Sequence, residues 1–504
     1  MKITNTLQNY LLPLFLLLFA VVFVFFNSKN SPLYLFNEWG DANIYFSMGK
    51  GIMNGLVPYR DLFDHKGPLV FLLYGLAYLI DGDGFTGVYL FECIFLFINI
   101  FFACKIARLY LSKPLSAVIS LVYAVLLFNK SYYGGSAEEF ISVFITVSFY
   151  YFILYCQNSE KNKQYLLIQG AMFTLAFLAK LSVCVFWLPL IFIVLYDLAA
   201  ERKNILKPIL YLCAGCTIVL LPFAVYFAAN SALNDFYWGY IQFNSIYAEF
   251  QTPADIILKA IFHAGWMLKH DPLSFPLTLL GTGVLLFGKK HIPQCRHRVA
   301  VFLSFLLSFL FVSMSKYVMT YAHIVLYIYA IFGVIWLCQL FSSLRGDTTK
   351  QSIAIYALSF IICLSTGIYN KKLFGQDTAC LLRQKECNYM QQEFADIIKE
   401  APYPTLLDLG LDHGIYTKAG IVPSYKYFFY PNIPYRLFPD IRDAQEKLIA
   451  ERKPMFIVAG NTSMNYGYFK ELPALNNNYE LIATFRQNIE AFDAEVYLWR
   501  RKSR

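Results

Sequence analysis

Long apolar runs recur along this chain and constrain its fold more than any other feature. The 504 residues are 58% hydrophobic and only 15% charged, with a mean hydropathy of +0.48, whereas soluble domains carry about 25% charged residues. Inside a bilayer the backbone must satisfy its own hydrogen bonds, so runs of about 20 apolar residues indicate spanning helices. The sequence therefore predicts a polytopic α-helical membrane protein.

Positively charged loops set the predicted topology, because cytoplasmic loops are enriched in Lys and Arg. The first apolar run lacks a small-residue cleavage site, so we predict an uncleaved first helix and a cytoplasmic N-terminus. The most basic loops contain Lys105/Arg108/Lys113, Lys161/Lys163, Arg202/Lys203/Lys207, Lys289/Lys290/Arg296/Arg298 and Arg345/Lys350. If these five are cytoplasmic, the spans alternate, and the C-terminus of this plasma (inner) membrane protein is extracytoplasmic. The eleven predicted spans are residues 10–26, 84–108, 114–129, 138–156, 165–179, 182–198, 208–229, 272–288, 299–314, 321–342 and 352–369.

Three places within the apolar region need separate interpretation. Residues 69–80 form an apolar run of about 12 residues, which is short for a span. We predict an interfacial or re-entrant helix there, beginning at Pro68. Lys180 divides residues 165–198 into two short spans and is predicted at the outer surface. Glu92 lies within a span and must face protein or water, because a carboxylate is costly in lipid.

The composition after Tyr369 changes to that of a small α/β domain. Residues 393–400 have the pattern of an amphipathic helix. Their β-branched and aromatic content predicts strands at residues 405–411, 454–460, 479–485 and 495–501. The loop GLDHG at residues 410–414 follows the first of these strands, and we predict that it is solvated rather than catalytic.

This change in composition divides the chain into two predicted domains. Residues 1–370 form a transmembrane domain with an outer loop at 28–83, and residues 371–504 form an extracytoplasmic α/β domain. The eleven Cys are scattered. Cys213 and Cys216 lie in an apolar run, where cysteine acts as a small hydrophobe, and no Cys/His cluster indicates a metal. Cys380 and Cys387 lie in the exported tail. On a helix they would be about 10 Å apart along the axis, beyond disulfide reach, so we predict free thiols.

The outer loop concentrates acids, bases and aromatic residues next to the membrane. Residues 38–68 have the sequence EWGDANIYFSMGKGIMNGLVPYRDLFDHKGP. Ile44, Met48 and Ile52 recur at helical spacing, which predicts a helix in the membrane interface that ends near Gly55. The second half of the loop clusters Arg60, Asp61, Asp64, His65 and Lys66.

The pattern D-x-x-x-Y, then Gly, V-P-Y and an acidic-x-Lys-Gly-Pro entry into an apolar helix resembles bacterial lipid-linked sugar transferases. These enzymes belong to the GT-C superfamily and are similar to protein O-mannosyltransferases and lipid A aminoarabinose transferases. The resemblance extends to the layout, with an acidic loop after the first helix, about eleven spans and an outer α/β tail. The matched positions are Asp41, Tyr45, Gly55, Pro58, Lys66 and Pro68.

The resemblance implies specific roles for the loop residues. Asp41 would be the general base toward an acceptor hydroxyl, Lys66 would bind the phosphate of a polyprenyl-phosphate sugar, and the anomeric carbon would be inverted. Aminoarabinose transferases carry a second acid and an Arg just after the Asp, where this chain has Ala42 and Ile44, so Arg60 becomes the nearest arginine candidate. Other candidate phosphate ligands, predicted at outer helix ends, are Lys180, Lys316 and His323. The remaining candidates are Tyr45, Tyr59, Asp61, Asp64 and His65 in the loop, and the cavity acids Glu138 and Glu139.

Two other function classes stay open at this stage: a flippase or transporter for a lipid-linked glycan, and a non-catalytic envelope assembly subunit. A transporter favours ionisable residues and broken helices near the midplane, whereas this chain gathers its polar residues at one face. For a transferase we expect a polyprenyl-phosphate-linked sugar, membrane lipids and a glycan, lipid or protein acceptor as partners. The net charge of +9 falls in short loops and does not indicate nucleic-acid binding. No cofactor is indicated, although a divalent metal ion is compatible with the sequence.

Overall fold

The chain is helical over most of its length and forms one small sheet near its C-terminus. The computed structural model describes residues 2–128, 131, 133–157, 165–201, 205–247, 252–315, 318–343, 389–489 and 492–503. Two compact units are present. The first comprises Met1–Ser28, Glu92–Phe223 and Phe250–Gln376, and the second comprises Lys29–Phe91, Ala224–Glu249 and Asp377–Arg504.

Fifteen α-helices precede the tail among the described residues. They are α1 (Lys2–Asn27), α2 (Gly40–Met53), α3 (Pro68–Tyr78), α4 (Thr86–Ala107), α5 (Lys113–Phe128), α6 (Ala137–Gln157), α7 (Tyr165–Ala179), α8 (Trp187–Ala200), α9 (Leu206–Ala229), α10 (Leu233–Phe236), α11 (Phe243–Tyr247), α12 (Pro253–His270), α13 (Ser274–Phe287), α14 (Cys295–Ser313) and α15 (Ala330–Ser343). A 3₁₀ segment at Leu181–Phe186 leads into α8, a second at Thr320–Tyr329 leads into α15, and a π-helical turn at Tyr237–Gln242 joins α10 to α11.

Ten of the eleven predicted spans coincide with helices of the structure, which is therefore that of a multi-pass membrane protein. Seven helices are long and apolar enough to cross a bilayer, namely Tyr10–Asn27, Thr86–Ala107, Ala137–Gln157, Leu181–Ala200, Leu206–Ala229, Cys295–Ser313 and Thr320–Leu340. The helices α5, α7 and α13 are shorter, at 16, 15 and 14 residues. The eleventh predicted span, 352–369, lies outside the described residues, as do Cys380 and Cys387.

Close helix packing in the first unit depends on small residues, as is common between membrane helices. Helix α13 approaches α15 and the end of the 3₁₀ segment before it so closely that a Cβ atom at Gly281 would lie 1.8 Å from the carbonyl oxygen of Tyr329. Gly333 would similarly meet the carbonyl oxygen of Leu277 at 2.4 Å. Any side chain at either glycine would force these two helices apart.

Three local features predicted in the apolar region occur in the structure, namely a helix that begins at Pro68, a break at Lys180 and a protein-facing Glu92. Pro68 is the first residue of the short helix α3. Lys180 has an extended backbone between the end of α7 and the following 3₁₀ segment. Glu92 faces protein, because its carboxylate accepts hydrogen bonds from the Ser28 hydroxyl and the Gly135 backbone N–H, both at 2.8 Å.

Helix α12 was not among the sequence predictions. Its 18 residues have one apolar and one polar face, and it begins with a capping box in which Thr252 and Asp255 bond reciprocally. An 18-residue helix with this mixed composition falls below the hydropathy of a spanning segment, which explains why a search for apolar runs overlooks it.

The tail belongs to the second unit and has an α/β fold, as predicted. Its helices are α16 (Met390–Lys399), α17 (Ile415–Lys418), α18 (Asp440–Ala450), α19 (Tyr466–Glu471) and α20 (Pro473–Asn478), and its strands are β1 (Leu406–Asp408), β2 (Phe456–Gly460), β3 (Tyr479–Ile489) and β4 (Phe492–Arg501). The strand order is β1-β2-β4-β3. Strand β1 pairs parallel with β2, and the other pairs are antiparallel. All four predicted strands and the amphipathic helix are confirmed.

A core of alternating strand residues holds the tail together. Ile457 of β2 is directly opposite Trp499 of β4 in the antiparallel register. Both belong to an apolar cluster that also contains Leu407 of β1 and Ile449 of α18. The period of two in the strand sequences places these side chains on one face of the sheet, which α18 covers.

One prediction about exposure in the second unit was wrong. The GLDHG loop is not solvated, because Asp412 is only 1% exposed and its backbone turns at Gly414 with φ +86. Helix α2 occurs where the sequence predicts it, and its position relative to the membrane stays a prediction. Eleven of its 14 residues are buried, because α3 and the tail cover its two sides. Amphipathic spacing alone does not distinguish a membrane surface from a protein surface.

Candidate active site

Helix α2 carries Asp41 in its first turn, where a carboxylate is favoured by the partial positive charge of the helix N-terminus. The helix begins at Gly40 and ends at Met53. Gly55 then adopts φ +86, a left-handed conformation that glycine reaches without steric cost. The predicted helix end near Gly55 is confirmed, and the chain reverses there toward Lys66.

The return segment between Gly55 and Lys66 is fixed by its own side chains. The Asp61 carboxylate accepts a hydrogen bond from the Val57 backbone N–H at 2.8 Å and two more from the Arg60 guanidinium at 2.9 and 2.8 Å. Arg60 also donates to the carbonyl oxygen of Asn230 at 2.8 Å. Asp61 therefore shapes the turn, and Arg60 ties it to the segment after α9.

Tyr59 and Asn244 fix the backbone of His65 and Lys66. The Tyr59 hydroxyl donates to the carbonyl oxygen of Lys66 at 2.6 Å, and the Asn244 amide donates to the carbonyl oxygen of His65 at 2.7 Å. Tyr59 has φ +69, an uncommon conformation for a bulky residue. Its ring is fully buried, and Gly239 of the π-helical turn packs so closely that a Cβ atom would lie 2.7 Å from that ring.

Asp41 and Lys66 come together, as the resemblance implied. The Lys66 Nζ atom lies 4.0 Å from Asp41 Oδ2, and the two side chains are 17% and 19% exposed. The Tyr45 hydroxyl donates to the same carboxylate oxygen at 3.3 Å, and the Lys66 ammonium lies 5.7 Å from the centre of the Tyr45 ring. Tyr45 itself packs edge-on against Tyr74 of α3. One acid, one cation and one phenol thus share a partly accessible position.

Asp64 and His65 lie beside this group but are buried. The Nδ1 atom of His65 lies 3.2 Å from Asp64 Oδ1. Burial, and then the positive charge of Lys66, lower the pKa of His65, so its imidazole is neutral at pH 7. Burial acts to raise the pKa of Asp64, but the charge of Lys66 and the contact with His65 outweigh it and hold that pKa below the ordinary value. Lys66 therefore supplies positive charge beside Asp41.

The other predicted site residues lie in the first unit. Lys180 donates a hydrogen bond to Glu138. Glu139 accepts hydrogen bonds from the Ser131 hydroxyl and from the Gly135 backbone N–H, the latter at 3.0 Å. His323 is fully buried. Lys316 lies outside the described residues. Lys180, Glu138 and Glu139 therefore form ion pairs and hydrogen bonds within their own unit.

Three residues that hold the segments around the site were not predicted from the sequence. Asn244 was overlooked because it follows a short irregular segment and lies far along the chain from His65. Ser47 and Lys50 lie within the predicted helix α2, but they were not assigned a role. Both contact the tail, and no local pattern in the sequence indicates a contact with residues more than 360 positions away.

The arrangement at Asp41 is suited to two chemical tasks. A carboxylate accepts up to about four hydrogen bonds, so the contacts with Tyr45 and Lys66 are compatible with a third partner such as a hydroxyl group. A lysine ammonium beside it favours an anion at the same place. Among the described residues, no group of three His, Cys, Asp or Glu side chains is placed to hold a metal ion.

Comparisons with known proteins give a family match and fold matches. Residues 65–227 match the family model of dolichyl-phosphate-mannose-protein mannosyltransferases. The fold is similar to that of ArnT from Cupriavidus metallidurans bound to undecaprenyl phosphate, with a TM-score of 0.58 and 12% identity over 96% of this chain and 97% of that chain. No curated protein sequence matches this chain.

A second structural match is the archaeal oligosaccharyltransferase AglB from Archaeoglobus fulgidus, in complex with an inhibitory peptide and a dolichol-phosphate. Its TM-score is 0.52, with 13% identity over 96% of this chain and 74% of that chain. The resemblance to GT-C membrane glycosyltransferases is therefore confirmed, and the chain has their fold. The family-model match includes Lys66 but begins after Asp41.

Proposed function

We propose that this protein is an inverting membrane glycosyltransferase that takes a sugar from a polyprenyl-phosphate donor. Asp41 is the general base, and Lys66 binds the donor phosphate. The acceptor is a glycan, lipid or protein of the cell envelope. The observation that carries the proposal is the 4.0 Å approach of the Lys66 ammonium to the Asp41 carboxylate, in a chain with the fold of ArnT.

The reaction requires a base and an anion-binding cation close together. The acceptor oxygen attacks the anomeric carbon and forms the new glycosidic bond, while the bond from that carbon to the phosphate oxygen breaks. The electron pair of that bond leaves with the polyprenyl phosphate, whose negative charge Lys66 stabilises. The proton of the acceptor hydroxyl passes to Asp41. A single displacement of this kind inverts the anomeric configuration.

The partial exposure of both side chains suits these roles. A carboxylate serves as a base only while it is ionised, and burial would raise its pKa and protonate it. At 19% exposure Asp41 retains contact with solvent, and at 17% Lys66 does so as well. The Tyr45 hydroxyl donates a hydrogen bond to Asp41 and so orients the carboxylate.

We place this site on the outer face of the membrane. The distribution of basic loops supports that orientation, because it makes the loop after the first span extracytoplasmic. Residues 29–91 and the tail after residue 377 belong to one compact unit. The Ser47 hydroxyl of α2 donates to Asp412 of the tail at 2.7 Å, which supports a tail on the same side as Asp41.

The test is turnover by the purified full-length protein. Radiolabelled undecaprenyl-phosphate sugars carrying different hexoses and pentoses would be supplied one at a time, together with a cell-envelope extract as acceptor. A transferase yields labelled product covalently attached to the acceptor and releases undecaprenyl phosphate. Movement of intact donor across proteoliposomes without new glycosidic bonds would instead identify a flippase. If the wild-type protein neither transferred the sugar nor moved the donor, a non-catalytic assembly subunit would be favoured.

A further inference from the structure

The tail contacts the helix that carries Asp41 through a buried polar network that the proposed reaction does not use. Helix α2 carries polar residues on two opposite faces. Asp41 and Tyr45 are four residues apart and lie on one face, since a helix turns 100° per residue. Asn43, Ser47 and Lys50 also recur at spacings of four and three, and they lie on the opposite face.

Each residue of this second face bonds to the tail. The Ser47 hydroxyl donates to Asp412 Oδ2 at 2.7 Å. The Lys50 ammonium donates to the carbonyl oxygen of Tyr416 at 2.9 Å. The Thr417 hydroxyl donates to Asn43 Oδ1 at 2.9 Å. Asn43, Ser47 and Lys50 have no exposed surface, so these bonds are shielded from water.

The tail loop that makes these bonds is itself fixed to the sheet. Asp408 at the end of β1 accepts a hydrogen bond from the His413 backbone N–H at 2.9 Å, and its carboxylate contacts the His413 ring at 2.8 Å. The other oxygen of Asp412 accepts a bond from the Gly414 backbone N–H at 2.8 Å. The Gln391 amide of α16 donates to the His413 carbonyl oxygen at 2.9 Å. The loop that carries Asp412 is therefore held in place by hydrogen bonds to β1 and α16.

On its active-site side, α2 packs tightly against α3. A Cβ atom at Gly49 would lie 2.3 Å from the backbone nitrogen of Gly75. The Tyr45 ring meets the Tyr74 ring with centres 5.4 Å apart. The helix is thus held between α3 and the tail loop, so its rotation about its own axis depends on both.

A buried polar contact of this kind is a poor way to gain stability. Replacing buried ionic groups with well-packed apolar ones is often neutral or stabilising. Hydrogen bonds, however, require one specific alignment of donor and acceptor, whereas apolar surfaces tolerate small rotations. The use of Ser47, Lys50 and Asp412 at this contact favours a role in alignment.

We propose that Asp412 is a positioning residue, which fixes the rotation of α2 through Ser47 and thereby aims Asp41 at the acceptor. This inference rests on the proposed function. Misplacement of a reacting group by about 1 Å costs on the order of 100-fold in rate, so a distant tail residue acts on the chemical step while leaving the donor phosphate site in place.

The test compares full-length variants in the transfer assay, using whichever undecaprenyl-phosphate sugar the wild-type protein turns over. Asp412→Ala removes both hydrogen bonds and should lower kcat on the order of 100-fold, while the donor KM changes by less than about twofold. Ser47→Ala removes one bond worth about 1 kcal/mol and should lower kcat about fivefold. Asp412→Asn keeps an acceptor oxygen for Ser47 and should recover most of the rate.

The matched control is Ile449→Ala, which creates a cavity in the tail core away from α2 and lowers the stability of the folded protein. It should lower the melting temperature at least as much as Asp412→Ala but leave kcat near that of the wild type. Equal losses of kcat in Ile449→Ala and Asp412→Ala would overturn the proposal and make the contact purely structural.

A double variant separates this inference from the proposed function. If Asp412 acts through Asp41, Asp41→Asn/Asp412→Ala should transfer no more slowly than Asp41→Asn alone. A further large loss in the double variant would overturn the positioning role while leaving Asp41 as the base. Wild-type transfer by Asp41→Asn alone would instead overturn the assignment of Asp41 as the base, and absence of transfer by the wild-type protein would overturn the proposed function.

Discussion

The ammonium nitrogen of Lys66 lies 4.0 Å from a carboxylate oxygen of Asp41, although the two residues are separated by a helix, a left-handed turn and a strained tyrosine. The distance exceeds that of a direct hydrogen bond but allows a strong electrostatic attraction at a partly buried position. This spacing is suited to an anion held beside a base.

Lys66 is predicted to contribute to donor binding more than to folding. Loss of one charge-assisted contact costs about 1.5–3 kcal/mol, so Lys66→Ala should weaken binding of undecaprenyl phosphate roughly 10- to 100-fold. Lys66→Arg should retain part of the affinity, because the charge remains while the geometry changes. Titration of the purified variants with undecaprenyl phosphate measures the effect.

The control for this experiment is the melting temperature of the same samples. If Lys66 served only to anchor the loop, Lys66→Ala would bind undecaprenyl phosphate normally and unfold at a lower temperature. That combination would remove Lys66 from the phosphate site.

Tyr59 is predicted to support the phosphate site through the backbone of Lys66. Tyr59→Phe removes only the hydroxyl that donates to the Lys66 carbonyl oxygen, and the loss of about 1 kcal/mol should weaken undecaprenyl phosphate binding about fivefold. Tyr479→Phe is the matched control, since it removes a buried hydroxyl that donates to the Pro454 carbonyl oxygen in the tail core. An affinity loss in Tyr479→Phe as large as that in Tyr59→Phe would count against a local role.

Asp412 should make stability depend on pH in a particular direction. Burial, and then the negative charge of Asp408, raise its pKa from 3.8 to about 6. The folded protein therefore binds this proton more tightly than the unfolded chain. The resulting contribution to the free energy of unfolding is complete below about pH 4 and is lost as the pH rises through about 6. Two pKa units correspond to about 3 kcal/mol.

Comparison of wild type with Asp412→Asn isolates this contribution. Between about pH 4 and 6 the melting temperature of the wild type should fall relative to that of the variant. Lys50 changes the stability only at higher pH, because burial lowers its pKa from 10.5 to about 8 despite the attraction of Asp412. Its contribution is lost as the pH falls through about 8, outside the window that Asp412 controls. If the melting temperatures of the two proteins changed by the same amount between pH 4 and 6, the raised pKa of Asp412 would be refuted.

The orientation of the tail is predicted from the basic loops. A reporter that is active only outside the cytoplasm, fused after Arg504, should be active in cells. The same reporter fused within the Lys289–Arg298 loop should be inactive, because this loop is predicted to be cytoplasmic. The reverse pattern would invert the topology and place Asp41 on the cytoplasmic face.

Local features of the sequence were sufficient to predict most of the secondary structure. Pro68 marks the start of α3, Gly55 marks the reversal after α2, and the alternation of β-branched and aromatic residues predicts all four strands. Each of these signals acts within a few residues, through backbone preference or side-chain periodicity. The helical spans were found because lipid imposes one uniform requirement on each of them.

The contacts of the candidate site were harder to predict because they join distant segments. The resemblance to a known family placed Asp41 and Lys66 in one site, but not Asn244, which holds the His65 carbonyl oxygen from 179 positions away. The bond from Ser47 to Asp412 joins residues 365 positions apart. Asp412 was interpreted as a solvated loop residue because nothing in GLDHG indicates that α2 covers it.

The most direct test of the account is a single-turnover measurement on Asp41→Asn with excess protein and a labelled undecaprenyl-phosphate sugar that the wild type accepts. Asn keeps the size and polarity of the side chain but does not take a proton, so transfer should slow by roughly 10²–10⁴-fold. Binding of undecaprenyl phosphate should be unchanged or tighter, because the carboxylate that attracts Lys66 is neutralised. The exposed tail substitution Asp440→Asn should transfer at the wild-type rate. Transfer by Asp41→Asn at a rate close to that of Asp440→Asn would contradict the assignment of Asp41 as the catalytic base.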